Sequence, residues 1–436
     1  MRSVGWLVVL GLVNGCAEGA NQTPEVGGPP EGAELARSAL AREADLTLSA
    51  ADAATFGADN RALALTLYQQ LARERTGNLF LSPYSIQTAL GMTFAGAKGE
   101  TASEIATALH YTLEQPRLHE AFNATDQALA RRKNELAATG SNEPMRGDGF
   151  QLNLVNQAWG RKGYRFLDTY LDLLALHYGA GLFLLDFGRP EAARAIINGW
   201  VEEQTRTRIK DLLPQGSIGP DTALVLTNAI YFKASWLEKF DVKQTAPAPF
   251  HADDGEREVA MMRSQLDARY AQLVGYQMIE LPYVSRNVAM LVVLPPAGPL
   301  LTALQRLDTA LFDQLREKLA RHLVTLQLPK WSFESARQLK EPLRALGMVK
   351  AFEPGSADLS GMDGQPGQLY IDEVYHKAFV AVDEQGTEAA AATAVVIREV
   401  SAPPHVELRV DRPFMFFLFD QPTGQILFLG HVTDPS

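Results

Sequence analysis

Serine, histidine, cysteine and carboxylate side chains do chemistry only when their spacing brings them together, and the familiar spacings do not occur in this chain. There is no Gly-x-Ser-x-Gly turn to expose a nucleophilic serine and no His-Glu-x-x-His helix to hold zinc. Neither a phosphate-cradling loop nor a dinucleotide fingerprint is present. The eight histidines are scattered, none at metal-ligand spacing from a second His, Cys or carboxylate cluster. No catalytic residue, metal or cofactor is therefore expected. The basic run Arg131-Arg132-Lys133 lies beside Glu135 and reads as a solvated helix face. With 40 basic against 51 acidic residues, a net charge of −11, the chain lacks the basic excess that nucleic-acid binding needs.

The instructive order lies at 383–404: Asp383-Glu384-Gln385-Gly386-Thr387-Glu388, then four alanines to Ala392, Thr393-Ala394-Val395-Val396-Ile397-Arg398-Glu399-Val400-Ser401-Ala402 and Pro403-Pro404. Its chemistry is backbone hydrogen bonding. Propensity alone favours a short exposed helix over the alanines. A period of two gives a sharper reading. One face would carry Thr387, Ala389, Ala391, Thr393, Val395 and Ile397, all uncharged and mostly small, while Glu388 and Arg398 fall on the other. Small side chains suit a strand that must slide between two neighbours already in contact. Gly386 supplies a hinge, and Pro403 and Pro404, unable to donate ladder hydrogen bonds, mark where insertion stops.

The elements that would position this segment are legible from periodicity. Helical patterning falls at 59–73, 83–95, 101–109, 166–178, 192–207 and 300–319. Strand patterning falls at 151–159, 224–232, 288–294, 323–328, 378–382, 414–419 and 425–429. Helices gather early and strands late, an α+β arrangement rather than the alternation of a parallel α/β fold. No second linker or repeat interrupts the body, so one domain over 51–436 is expected.

Several motifs now bear on the same conclusion. Glu384-Gln385-Gly386-Thr387-Glu388-Ala389-Ala390-Ala391-Ala392-Thr393 resembles the hinge of inhibitory serpins at every position. Asn78-Leu79-Phe80-Leu81-Ser82-Pro83-Tyr84-Ser85-Ile86 resembles the entry to that family's second helix. Thr227-Asn228-Ala229-Ile230-Tyr231-Phe232-Lys233-Ala234-Ser235-Trp236 resembles its third central strand. Leu328-Pro329-Lys330, Asp411-Arg412-Pro413-Phe414 and Gly424-Gln425-Ile426-Leu427-Phe428-Leu429-Gly430 resemble its closing elements. The resemblance spans about 55–433.

It implies helices packed around three β-sheets with an exposed reactive-centre loop, and irreversible inhibition of a serine protease through a covalent acyl-enzyme. The cut loop would insert into the central sheet. Hinge roles pass to Glu384, Gly386, Thr387, Ala389, Ala391 and Thr393. The family's loop spacing places the reactive bond at Val400–Ser401, suited to an elastase-like or subtilisin-like protease, with Arg398 and a trypsin-like target as the alternative. Ser82, Ser85, Asn228 and His376 would form a hydrogen-bonded shutter, Trp236 would mark the point of entry, and Lys330 would pair with Glu384. The rival reading is a serpin that does not inhibit and acts as a binding or chaperone-like protein. A monomer is expected in either case.

The N-terminus carries a separate signal. Met1-Arg2 precedes an apolar run from Val4 to Val13, too short to span a bilayer but suited to a secretory signal over 1–15. The chain's one cysteine, Cys16, follows Asn14-Gly15 and resembles the lipidated first residue of a bacterial lipoprotein. A membrane tether through Cys16 and a secreted or cell-envelope location are the expectation. Residues 16–50, rich in Gly, Pro, Glu and Ala, read as a flexible tether.

Overall fold

Capping residues fix where the helices begin. The Ser49 hydroxyl accepts the Asp52 amide (3.1 Å) and starts α1 (Ala50–Glu74). Ser82 accepts the Ser85 amide (3.2 Å) and, with Pro83 at the first helical position, opens α2 (Pro83–Phe94). Then come α3 (Gly99–Ala108), α4 (Gln115–Glu135), α5 (Asp168–Tyr178) and α6 (Pro190–Gln204). The sequence pattern gives no warning of α4, whose buried stripe of Leu118, Ala121, Phe122 and Leu129 is thin among polar residues. The one helix expected over 300–319 is two, α7 (Leu300–Arg306) and α8 (Thr309–Glu317). Asp308 causes the break, because its carboxylate accepts the Leu311 amide (2.8 Å) and starts a new helix. Two short helices, α9 (Lys340–Ala345) and α10 (Ser360–Asp363), complete the set among the residues described by the computed structural model, which are 28–74, 77–135, 150–387 and 403–436.

The first sheet runs in the order β1 (Glu34–Ala36), β4 (Leu182–Leu185), β3 (Phe150–Arg161), β5 (Leu224–Ser235), β13 (Gly386–Thr387), β12 (Ile371–Asp383), β11 (Trp331–Gln338). β5 is covered on both faces and is accordingly buried along almost its whole length, with no alternation to read. On one face lies the main core with α1 and α2. On the other, α6 brings Trp200 edge-on against Trp159 and Phe183, with centroids 5.4 and 5.5 Å away.

The second sheet runs β14 (His405–Arg409), β10 (Ala320–Pro329), β7 (Gly255–Leu273), β8 (Tyr276–Pro282), β9 (Val288–Leu294), β15 (Phe414–Asp420), β16 (Gln425–Val432), β2 (Leu79–Leu81), with β6 (Ala246–Ala252) paired to β7. The resemblance implies three sheets, and the ladder joins two of them. β7 is the reason: its 19 residues pair with β6 over 255–261, with β10 over 261–270 and with β8 over 269–273.

The flexible tether expected over 16–50 does not hold for its described part. β1 pairs antiparallel with β4, Leu35 opposite Phe183. Arg42 reaches Asn123 Oδ1 and Asp126 Oδ2 (both 2.7 Å), and the Glu43 carbonyl accepts from Asn123 and Gln127 (2.9 and 2.7 Å). The physical reason is that edge-strand pairing uses backbone groups, to which composition is blind. Cys16 and the segment 1–15 lie outside the described residues.

Candidate functional site

β5 and β12 run parallel and hydrogen-bonded from Leu224 opposite Ile371 to Tyr231 opposite Phe379. Beyond that point they part, and the chain leaving β12 turns back into the gap as β13. The turn is tied by the Asp383 carboxylate, which accepts the amides of Gln385 (2.8 Å) and Gly386 (3.3 Å). Gly386 pairs with Asp383 on one side and Ser235 on the other, and Thr387 with Val382 and Ala234. Only glycine fits at 386. Its φ is +148°, and a Cβ there would stand 2.1 Å from the Ala234 carbonyl oxygen.

The first rungs of an additional strand are thus already laid. Trp236 closes the mouth of the gap, donating its indole N–H to the Asp383 carbonyl (3.0 Å) and its amide to the Gln385 carbonyl (2.9 Å). It stacks on Tyr283, centroids 4.7 Å apart and planes at 8°. Glu384, 5% exposed, takes Lys330 Nζ at 2.9 Å and the Thr245 hydroxyl at 2.7 Å. Burial alone would raise its carboxyl; the bonds from Lys330 and Thr245 outweigh that and hold it below the usual carboxylate range.

Lower in the same gap, where β5 and β12 are bonded directly, a second polar group crosses three strands in one row. Asn156 of β3 stands opposite Asn228 of β5, and Asn228 opposite His376 of β12. The imidazole Nδ1–H donates to Asn228 Oδ1, while Nε2 accepts the Ser82 amide (3.3 Å). Asn228 Nδ2 donates to Ser85 Oγ (2.6 Å) and to Asn156 Oδ1, which also accepts the Ser85 hydroxyl (2.8 Å). The Ser82 hydroxyl donates to the Leu427 carbonyl (2.6 Å). Burial, with a smaller push from Arg337, takes the His376 imidazole down to about 3, so it stays neutral and this donor and acceptor pattern is fixed.

Comparison with known proteins decides what such a gap belongs to. A model of the family described as serpin (serine protease inhibitor) matches residues 58–435. This chain belongs to the serpin family. Serpin B4 of Homo sapiens is 38% identical over 85% of this chain and 96% of its own length. The leukocyte elastase inhibitor of Xenopus tropicalis is 38% identical over 83% of this chain and 94% of its own. The crystal structure of tengpin, a thermophilic serpin in the native state, superposes with a TM-score of 0.80 at 25% identity, covering 92% of this chain and 99% of tengpin. The fold is the serpin fold. Members of the family inhibit proteases rather than catalyse reactions, and they interact with serine proteases.

The serpin site expected from the sequence divides into three parts. Glu384, Gly386, Thr387, Lys330 and Trp236 come together at the mouth of the gap, and Ser82, Ser85, Asn228 and His376 come together below it. Ala389, Ala391, Thr393, Arg398, Val400 and Ser401 lie outside the described residues. Three participants were not foreseen. Asn156 had a signal, a polar residue inside a strand otherwise read correctly. Thr245 and Tyr283 had none, since each enters only through the turn that brings it near the hinge. Of the basic run, Arg131 is exposed, as expected, and pairs with the exposed Asp45 (3.1 Å), whereas Arg132 departs from the solvated face and is buried against Asp420 (3.2 Å).

Proposed function

We propose that this serpin is an irreversible inhibitor of an elastase-like or subtilisin-like serine protease, with Val400–Ser401 as the reactive bond. The protease serine attacks the Val400 carbonyl, its proton passes to the protease's own base, and the Ser401 amine leaves, so that Val400 is held as an ester. The loop, now free at one end, continues the strand that Gly386 and Thr387 begin and carries the ester-linked protease with it. The observation that carries this reading is β13 itself, seated between β5 and β12 above strands that must part for it to lengthen. Uncharged, small residues follow Thr387 at alternate positions, the composition a strand needs to enter a closed gap. Ten or so new strand hydrogen bonds at roughly 0.5–1.5 kcal/mol net give on the order of 10 kcal/mol, enough to make the trap permanent.

The test is incubation with an elastase-like, a subtilisin-like and a trypsin-like protease, scored for a complex that survives denaturing electrophoresis. A released peptide beginning at Ser401 supports Val400, and one beginning at Glu399 moves the bond to Arg398. A cut chain with neither covalent complex nor a large rise in melting temperature favours the non-inhibitory reading. We further propose that Cys16 is lipidated and holds the protein, as a monomer, in the cell envelope. Labelling with a fatty-acid analogue that persists in Cys16→Ser overturns that.

A further inference from the structure

We propose that the arm over 34–43 is a clasp that holds the first sheet closed and comes undone before the loop can enter, an inference that rests on the insertion mechanism above. The arm precedes the span over which the chain matches its family, yet the body is shaped to receive it. At Gly181 a Cβ would stand 2.6 Å from the Ala36 carbonyl oxygen. At Gly179, the left-handed residue that ends α5 (φ +61°), a Cβ would stand 3.0 Å from Arg42 Cδ. Two glycines of the body therefore leave the room that the arm fills.

Its fastenings lie on two parts that insertion separates. One end, β1, pairs with β4, which pairs with β3 and through it with β5. The other end lies on α4, where Arg42 and Glu43 bond to Asn123, Asp126 and Gln127. That helix goes with the second sheet: Arg132 fastens it to Asp420 of β15, and Phe122 meets Phe56 of α1 edge-on at 4.9 Å. β11 and β12 go with the second sheet too, since Trp331 packs on Phe414 and Phe416 of β15, with centroids 5.2 and 5.3 Å away. Admitting a strand between β5 and β12 takes a separation of about 4.8 Å. Bonds of 2.7–2.9 Å on α4 and rungs on β4 cannot both survive that shift. The arm is held by such bonds more than by burial, Leu35 and Leu40 standing 44% and 45% exposed, so it can let go while the body stays folded.

The measurement is the rate at which a synthetic peptide of residues 387–397 enters the sheet of the uncut protein, read as the growth of a heat-stable fraction. It is taken for the wild type, Arg42→Ala, Gly181→Ala and the double variant. Arg42→Ala unfastens the α4 end and Gly181→Ala pushes β1 off β4, so each should speed entry roughly tenfold, about what one hydrogen bond to a charged group contributes. The double variant should go little further, because a clasp opened at one end is open. Denaturant midpoints separate a clasp from a merely structural role: Arg42→Ala should lower that of the uncut protein and leave that of the cut, inserted protein unchanged. Additive effects, equal lowering of both midpoints, or wild-type peptide entry in Arg42→Ala overturns the inference. Arg42→Ala decides it even if Gly181→Ala fails to fold. A wild-type protein that gains no heat stability on cutting sinks the insertion mechanism itself, which is a different outcome.

Discussion

The two ends of the gap between β5 and β12 are closed in different ways. At the mouth, the bonding groups of β5 and β12 are already committed to β13, and the side-chain closure is an ion pair whose lysine is 38% exposed. Lower down, the strands bond to each other, and neutral side chains, half-buried at Asn156 and fully buried at Asn228 and His376, bridge β3, β5 and β12 in one row. An ion pair whose lysine reaches solvent is partly screened, whereas a buried network in which every partner is satisfied resists opening until it fails as a whole. The mouth is held more loosely than the row beneath it. Under the proposed mechanism, a strand entering from above would meet its main resistance only after gaining its first rungs.

The largest expected effect comes from breaking the row. Asn228→Ala strips partners from His376, Ser85 and Asn156 at once and should lower the stability of the uncut protein by about 2–4 kcal/mol, read from its urea midpoint. A loss below about 0.5 kcal/mol, within the scatter of surface substitutions, would mean the row is not a lock. Next is Gly386→Ala, where the added methyl meets the Ala234 carbonyl and the left-handed backbone is strained, at a cost of about 1–3 kcal/mol. It should drive β13 out of the gap, and hydrogen exchange at the Trp236 amide, bonded to Gln385 in the intact hinge, should speed up.

Acid separates the two ends. The His376 imidazole is lower in the folded protein, about 3, than its ordinary 6.5, so the unfolded chain binds the proton more readily. Its contribution is complete above 6.5 and is lost as the pH falls towards 3, by about 1.4 kcal/mol per unit. His431, pushed down to about 4 by burial, acts in the same direction. Glu384, a carboxyl held below 4.5, loses its share only when the pH drops below that value. The uncut protein should therefore begin to lose stability between pH 6.5 and 5, and His376→Gln should flatten that part of the profile. A profile flat down to pH 4.5 would contradict the assignment. The smallest effect is that of Lys330→Ala, about 0–1 kcal/mol in the same urea titration, and it should shrink further in high salt.

How much of this was legible varied with the kind of signal. Apolar runs located β9, β15 and β16, because strands buried on both faces have no other way to be written. Of β12 only the end, 378–382, could be read, since Glu373, His376 and Lys377 interrupt its apolar run. Asp308 carried the signal of a helix start that periodicity overran. Gly386 and Thr387 were expected at the entrance to the sheet and are found there as β13, the alanines lie outside the described residues, and the tether was misjudged because Glu34–Ala36 pairs through its backbone. Tyr283 and Thr245 stayed invisible, for their roles depend on where two turns bring them.

By itself, the sequence determined the material that the proposed insertion would use: a glycine where no side chain fits, uncharged alternate positions after it, two prolines beyond them, and polar residues set into otherwise apolar strands. Only the tertiary structure decided which of those polar residues face one another, that the mouth of the gap is already occupied by two residues of the hinge, and that a tyrosine from a distant turn meets Thr387. The division has a physical cause. Alternation and backbone conformation are local properties of a chain, whereas hydrogen-bond partners across a sheet are chosen by the packing of strands far apart in sequence.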